Sequence, residues 1–147
     1  MLVKIYRLLH EYSEKKTIDG EPLINTIELG YFSSRKKVRE VINKYKNLEG
    51  FKDFDTKCFK IKRFYIFVKN RPTSIYELYH SYIDASGYEE YKFFGVYLSE
   101  AKARKKQSKL IKHNAIYRNN QDGFEVTEEV VDIDNTIWNQ GFTSVSN

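Results

Sequence analysis

The strongest constraint on this chain is that it repeats itself. Ile5-Tyr6-Arg7-Leu8-Leu9-His10-Glu11-Tyr12 matches Ile75-Tyr76-Glu77-Leu78-Tyr79-His80-Ser81-Tyr82 at an offset of 70, an I-Y-x-L-x-H-x-Y pattern. Gly30-Tyr31-Phe32-Ser33-Ser34 matches Gly95-Val96-Tyr97-Leu98-Ser99 at an offset of 65, and that register continues without a gap to Phe59-Lys60-Ile61 against Phe124-Glu125-Val126. The five-residue change in offset falls between the first two elements, where a turn tolerates insertion. A fold that fits one copy must therefore fit the other. Each half of the 147 residues is also too short for a generous core of its own.

Each copy reads as β-β-α-β. In the first, Val3, Ile5 and Leu9 alternate with Tyr6, Leu8, His10 and Tyr12, the pattern of a central strand apolar on both faces. Asp19-Gly20 signals a turn, and Leu23 to Phe32 returns as a hairpin strand. Ser34 and Ser99 are suited to capping helices, because a side-chain oxygen can accept from an amide left open in the first turn. After Ser34, the residues Val38, Val41, Ile42, Tyr45 and Leu48 form one apolar helical face ending near Gly50. The second helix sets Ala103, Lys106, Gln107, Leu110 and His113 at those positions, so it is expected to bury less. Third strands run from Cys58 to Val68 and from Phe124 to Asp132. The expectation is an α+β fold of two β-β-α-β repeats, 1–70 and 71–134, pseudo-twofold related. Each antiparallel sheet is covered by one helix, and a tail, 135–147, packs on the repeats.

Charge divides the chain differently. The first 118 residues hold all 25 Lys and Arg against 14 acids, a formal +11, whereas the last 29 hold six acids and no base, or −6. The net +5 is a remainder between opposed regions, which points to internal or partner complementarity rather than to a uniformly basic surface. Asp122, Glu125, Glu128, Glu129, Asp132 and Asp134, with Trp138 as an aromatic anchor, are the candidate partner-binding residues. Lys102, Lys105, Lys106 and Lys109 share one stripe of the second helix and are the candidates for a nucleic-acid backbone.

Catalytic chemistry has no constellation here. His10 and His80 recur, but no acid and no nucleophile recurs beside them, so they read as structural groups on a strand face. None of the seven glycines makes a phosphate loop. Cys58, the single cysteine, has neither a disulfide partner nor a second thiol for a metal. No cofactor and no metal is expected. No apolar run spans a membrane, and Met1-Leu-Val-Lys-Ile-Tyr-Arg lacks the continuous apolar core of a signal peptide, so a cytoplasmic, non-membrane protein is expected, monomeric or dimeric.

The I-Y-x-L-x-H-x-Y strand, the G-x-[FY]-x-S helix start, Gly50-Phe51 and the strand from Phe59 resemble a small bacterial domain of unknown function, here in tandem. Trp138-Asn-Gln-Gly141-Phe142 is similar to the W-x-x-G-F ending of that family. The second copy departs from the pattern with Ala115-Ile116 in place of Gly-Phe. In size and setting the chain also resembles the cytoplasmic immunity proteins of Gram-positive LXG polymorphic toxins. That resemblance implies a non-enzymatic protein that binds a cognate nuclease toxin. It brings no catalytic residue to any position.

Overall fold

A computed structural model of the chain describes residues 1–14 and 23–135. The Asp19-Gly20 turn and Trp138 lie outside the described residues. The chain divides into two units, 1–67 with 131–147, and 68–130.

In the first unit, β1 (Leu2–Glu14) lies between β2 (Leu23–Phe32) and β3 (Phe59–Phe67), antiparallel to both. The central position follows from the two apolar faces. Val3, Ile5 and Leu9 on one side of β1, and Tyr6, Leu8 and His10 on the other, are all buried. Helix α1 (Arg35–Tyr45) opens at Ser34, whose Oγ accepts from the Lys37 amide at 3.2 Å. Val38 and Tyr45 are buried against Tyr6, Leu8, Leu29, Phe32, Phe51 and Phe59, with Val41, Ile42 and Leu48 half-buried at the margin. Each such side chain, once covered, contributes about 1.5–3 kcal/mol.

The second unit repeats the plan. Strand β4 (Ser74–Ile83) is central, with β5 (Glu89–Tyr97) and β6 (Phe124–Val130) antiparallel on either side. Helix α2 (Glu100–His113) opens at Ser99, whose Oγ accepts from the Lys102 amide at 3.1 Å. As its poor apolar spacing predicts, α2 buries only Ala103, while Leu110 and Ile111 are half-covered. A short helix, α3 (Ala115–Asn119), follows, capped by Asn114. It fills the place of the absent Gly-Phe: Tyr117 packs on His80 and Phe124 as Phe51 packs on His10 and Phe59.

The shared glycine motif has a structural reason. In the first unit Leu8 faces Gly30 and Leu9 faces Glu28, so β2 carries one extra residue. In the second, Glu77 faces Val96 and Tyr79 faces Phe93, and β5 carries the extra residue. Gly30 (φ 143) and Gly95 (φ 99) hold these bulges in backbone conformations that side chains disfavour.

One boundary differs from the sequence reading. The third strand of the second copy stops at Val130, and Val131–Asn135 join the first unit. The last pair with β4 is Val130 with Ser74, Val131 already bridges Tyr31, and Asp132, in a left-handed conformation (φ 69), donates its amide to the Tyr31 carbonyl at 2.8 Å. The second compact unit is therefore 68–130, whereas the sequence repeat reads as 71–134.

Candidate partner-binding surfaces

The six acids after Arg118 divide into two groups. The first lies on the strap Val131–Asn135. Val131 bridges Tyr31 in parallel, the Asn135 amide donates to the Leu29 carbonyl at 2.9 Å, and Asn135 Nδ2 donates to the Glu28 carbonyl at 2.6 Å. This backbone seating aims two carboxylates at α1. Asp132 accepts from the Ser33 amide and the Ser33 hydroxyl, both at 2.7 Å, and from Lys37 Nζ at 2.9 Å. Asp134 accepts from Lys44 Nζ at 2.9 Å, and the Tyr45 hydroxyl lies 2.9 Å from the same oxygen.

These contacts set the charges. Burial alone raises a carboxyl pKa, but at Asp132 the bonds from Ser33 and Lys37 outweigh it and hold the group below its ordinary value. At Asp134, burial is likewise outweighed by Lys44 and Tyr45. Tyr45 moves the other way: burial, and then the bond and charge of Asp134, raise its hydroxyl. Asp132 and Asp134 are thus engaged inside the first unit, with Ser33 and Lys37 and with Lys44 and Tyr45.

The second group belongs to the second unit. Asp122, Glu125 and Glu128 are exposed, and none forms an ion pair with a described residue. Glu129 is half-buried. Asp122 borders an open hollow of about 810 Å³ that Ser81, Tyr82, Glu89, Arg118 and Asn120 also line.

Lys102, Lys105, Lys106 and Lys109 are all exposed on α2, as is Lys112. Among the described residues the one ion pair on this helix is Arg104 to Glu100, at 3.7 Å. The sequence reading overlooked what the offset of 65 does to the helices: Lys37 corresponds to Lys102 and Lys44 to Lys109. The two strap-bound lysines of α1 recur on α2 within the stripe already singled out.

Both recurring histidines are buried. His10 faces Phe59 across the ladder and His80 faces Phe124. The His10 ring sits among Phe51 and Phe59, each 5.0 Å away, and Phe54 at 5.4 Å, and neither of its nitrogens has a hydrogen-bond partner among the described residues. Burial lowers its pKa, so the neutral ring is favoured. His80 Nε2 lies 2.8 Å from the Asn120 carbonyl, which can only accept, so the ring donates there. Gly123 closes over that ring: a Cβ would overlap the Ser81 carbonyl oxygen and approach His80 Nε2 to 2.9 Å.

Within either unit alone, no three metal-ligating side chains converge among the described residues. No described helix is long and apolar enough to cross a membrane. No protein-family model, no curated protein and no solved structure matches the chain.

Proposed function

We propose that this chain is a non-enzymatic, protein-binding protein of the immunity type, which acts in the cytoplasm by binding a cognate polymorphic toxin and occluding its nuclease domain. The observation that carries this reading is the unmatched charge of the second unit. Asp122, Glu125 and Glu128 are exposed with no basic partner among the described residues, while the other two exposed-looking acids of the sequence, Asp132 and Asp134, serve the first unit. Glu125 and Glu128 stand on opposite faces of the edge strand β6 and Asp122 on the turn before it, so the acids flank an edge that a basic nuclease cleft can grip from both sides. The burial of His10 and His80 among aromatic rings supports a packing role for the repeated motif.

The experiment is co-expression with the nuclease domain of a polymorphic toxin, taken from the gene next to this one where that gene encodes such a toxin. Protected cells and a co-purifying complex are expected, with protection lost in an Asp122→Lys/Glu125→Lys/Glu128→Lys variant that keeps its fold. Continued killing with no complex overturns the reading.

A second reading has its own support. The stripe Lys102, Lys105, Lys106 and Lys109 is exposed and suited to a nucleic-acid backbone. That reading requires affinity for an oligonucleotide that falls steeply with salt.

A further inference from the structure

The two copies bind charge differently at the same place. In the first unit, Lys37 and Lys44 meet Asp132 and Asp134 on an extended strap, each pair at 2.9 Å. Their counterparts Lys102 and Lys109 stand seven residues apart on the same stripe of α2, about 10 Å along the axis, as the first pair does on α1. Aspartates two apart on an extended segment are separated by roughly 7 Å. The flexible lysine stems close the difference in the first unit, so the same spacing is workable in the second.

What the second unit lacks is the carboxylates. Val68, the residue after β3, belongs to the second unit and is 8% exposed, as Val131 after β6 belongs to the first and is 8% exposed. After Val131 come Asp132, Ile133 and Asp134, whereas after Val68 come Lys69, Asn70 and Arg71. Counted from the strand ends, an offset of 63 rather than 65 because β3 runs two residues longer than β6, the charges are inverted at both positions. Lys69 and Arg71 are exposed, as are Lys102, Lys105, Lys106, Lys109 and Lys112.

We propose that the basic face of α2 is the docking site for an extended acidic segment of a partner protein, whose paired carboxylates engage Lys102 and Lys109 as Asp132 and Asp134 engage Lys37 and Lys44. This deepens the protein-binding reading and rests on it. Two observations favour a protein segment over nucleic acid. The chain itself solves this recognition with aspartates on an extended backbone, and the α2 stripe carries no interleaved aromatic side chain on which bases would stack. The copies also differ: Leu98 and Leu110 stand where Ser33 and Tyr45 donate their hydroxyls. Docking on α2 therefore depends on the lysines and is strongly sensitive to salt.

The test uses the full chain, isotope-labelled, titrated with a synthetic peptide containing Val-Asp-Ile-Asp-Asn, with Val-Asn-Ile-Asn-Asn and a single-stranded oligonucleotide in parallel. The acidic peptide is expected to shift the amide resonances of Glu100–His113, to bind at least tenfold more tightly than the asparagine peptide, and to lose at least tenfold in affinity in Lys102→Glu/Lys109→Glu. The thermal midpoint of that variant should match the parent's, since both side chains are exposed. Shifts absent from α2, equal binding of the two peptides, or tighter binding of the oligonucleotide on the same lysines overturns the proposal. Toxin protection is scored separately. A double variant that still protects cells fully overturns this docking site alone, whereas peptide binding at α2 without protection supports the site and overturns the immunity reading.

Discussion

Lys37 Nζ lies 2.9 Å from Asp132, 95 residues further along the chain, and this contact ties the end of the second repeat's sequence to the first helix. The strap beneath it is seated by backbone bonds to Tyr31 and Leu29, so the carboxylate is placed before the lysine reaches it. Asp132 also caps the approach to α1 through the Ser33 amide and hydroxyl. The lysine adds charge to a site that the backbone has already built.

Asp132→Ala should therefore destabilise the protein by about 2–3 kcal/mol, since it opens the Ser33 bonds and places alanine in a left-handed conformation. Asp132→Asn keeps an acceptor and tolerates that backbone, and should cost about 1 kcal/mol. Lys37→Gln removes a half-exposed partner and should cost less than about 1 kcal/mol, and Lys102→Gln should leave stability unchanged. Urea unfolding of the four variants checks the order. A loss for Lys102→Gln equal to that for Lys37→Gln would contradict the difference between the copies.

The same strap predicts the acid limb of stability. Asp132 and Asp134 have pKa values below the ordinary carboxylate value in the folded chain, so the unfolded chain takes up protons first as pH falls. Their contribution is complete above the unfolded value near 4 and is lost as pH drops through the lower folded values. Asp132→Asn/Asp134→Asn should be less stable at neutral pH and flatter below about pH 4. Thermal midpoints measured across that range check it, and an unchanged acid slope would exclude the strap as its source.

Much of this was legible in the sequence because repeats, caps and periodicity are local. Ser34 and Ser99 cap as expected, β1 and β4 are central, and the weak apolar face of α2 buries one residue. The strap was not legible, because Val130-Val131-Asp132 continues the strand pattern, while pairing with β4 stops at Val130 and the residues after it take partners about a hundred positions away. The role of Tyr117 was hidden for a related reason. The second copy replaces the Gly-Phe pair with a helical turn, so the ring that covers His80 arrives from a different local structure. Of the candidate surface residues, burial separates Asp122, Glu125 and Glu128 from Asp132 and Asp134, and no local pattern could have done so.

Gly123 predicts a localised lesion. Gly123→Ala should cost about 1–3 kcal/mol, because the added carbon overlaps the Ser81 carbonyl oxygen and the neighbouring backbone must move. The His80 ring resonances should shift with it. Gly95→Ala also strains its backbone, but its added carbon meets open space, so His80 should be unaffected. Proton–nitrogen spectra of the two imidazoles check this, and a His80 shift in Gly95→Ala would count against the local account.

The two histidines should respond oppositely to the same substitution. His10 is buried with both nitrogens unsatisfied, so His10→Leu removes two orphaned polar atoms and should raise stability by about 1 kcal/mol at neutral pH. His80→Leu deletes the bond to the Asn120 carbonyl and should lower stability by about 1 kcal/mol. The pH dependence follows from the His10 pKa, which burial lowers. Between that value and the unfolded one near 6.5 the unfolded chain binds the extra proton, so stability falls as pH falls through this window. His10→Leu should flatten the slope below about pH 6.5, and chemical denaturation at pH 5 and pH 7.5 measures both effects. A His10→Leu variant that is less stable than the parent and keeps its slope would show that the imidazole is satisfied in solution.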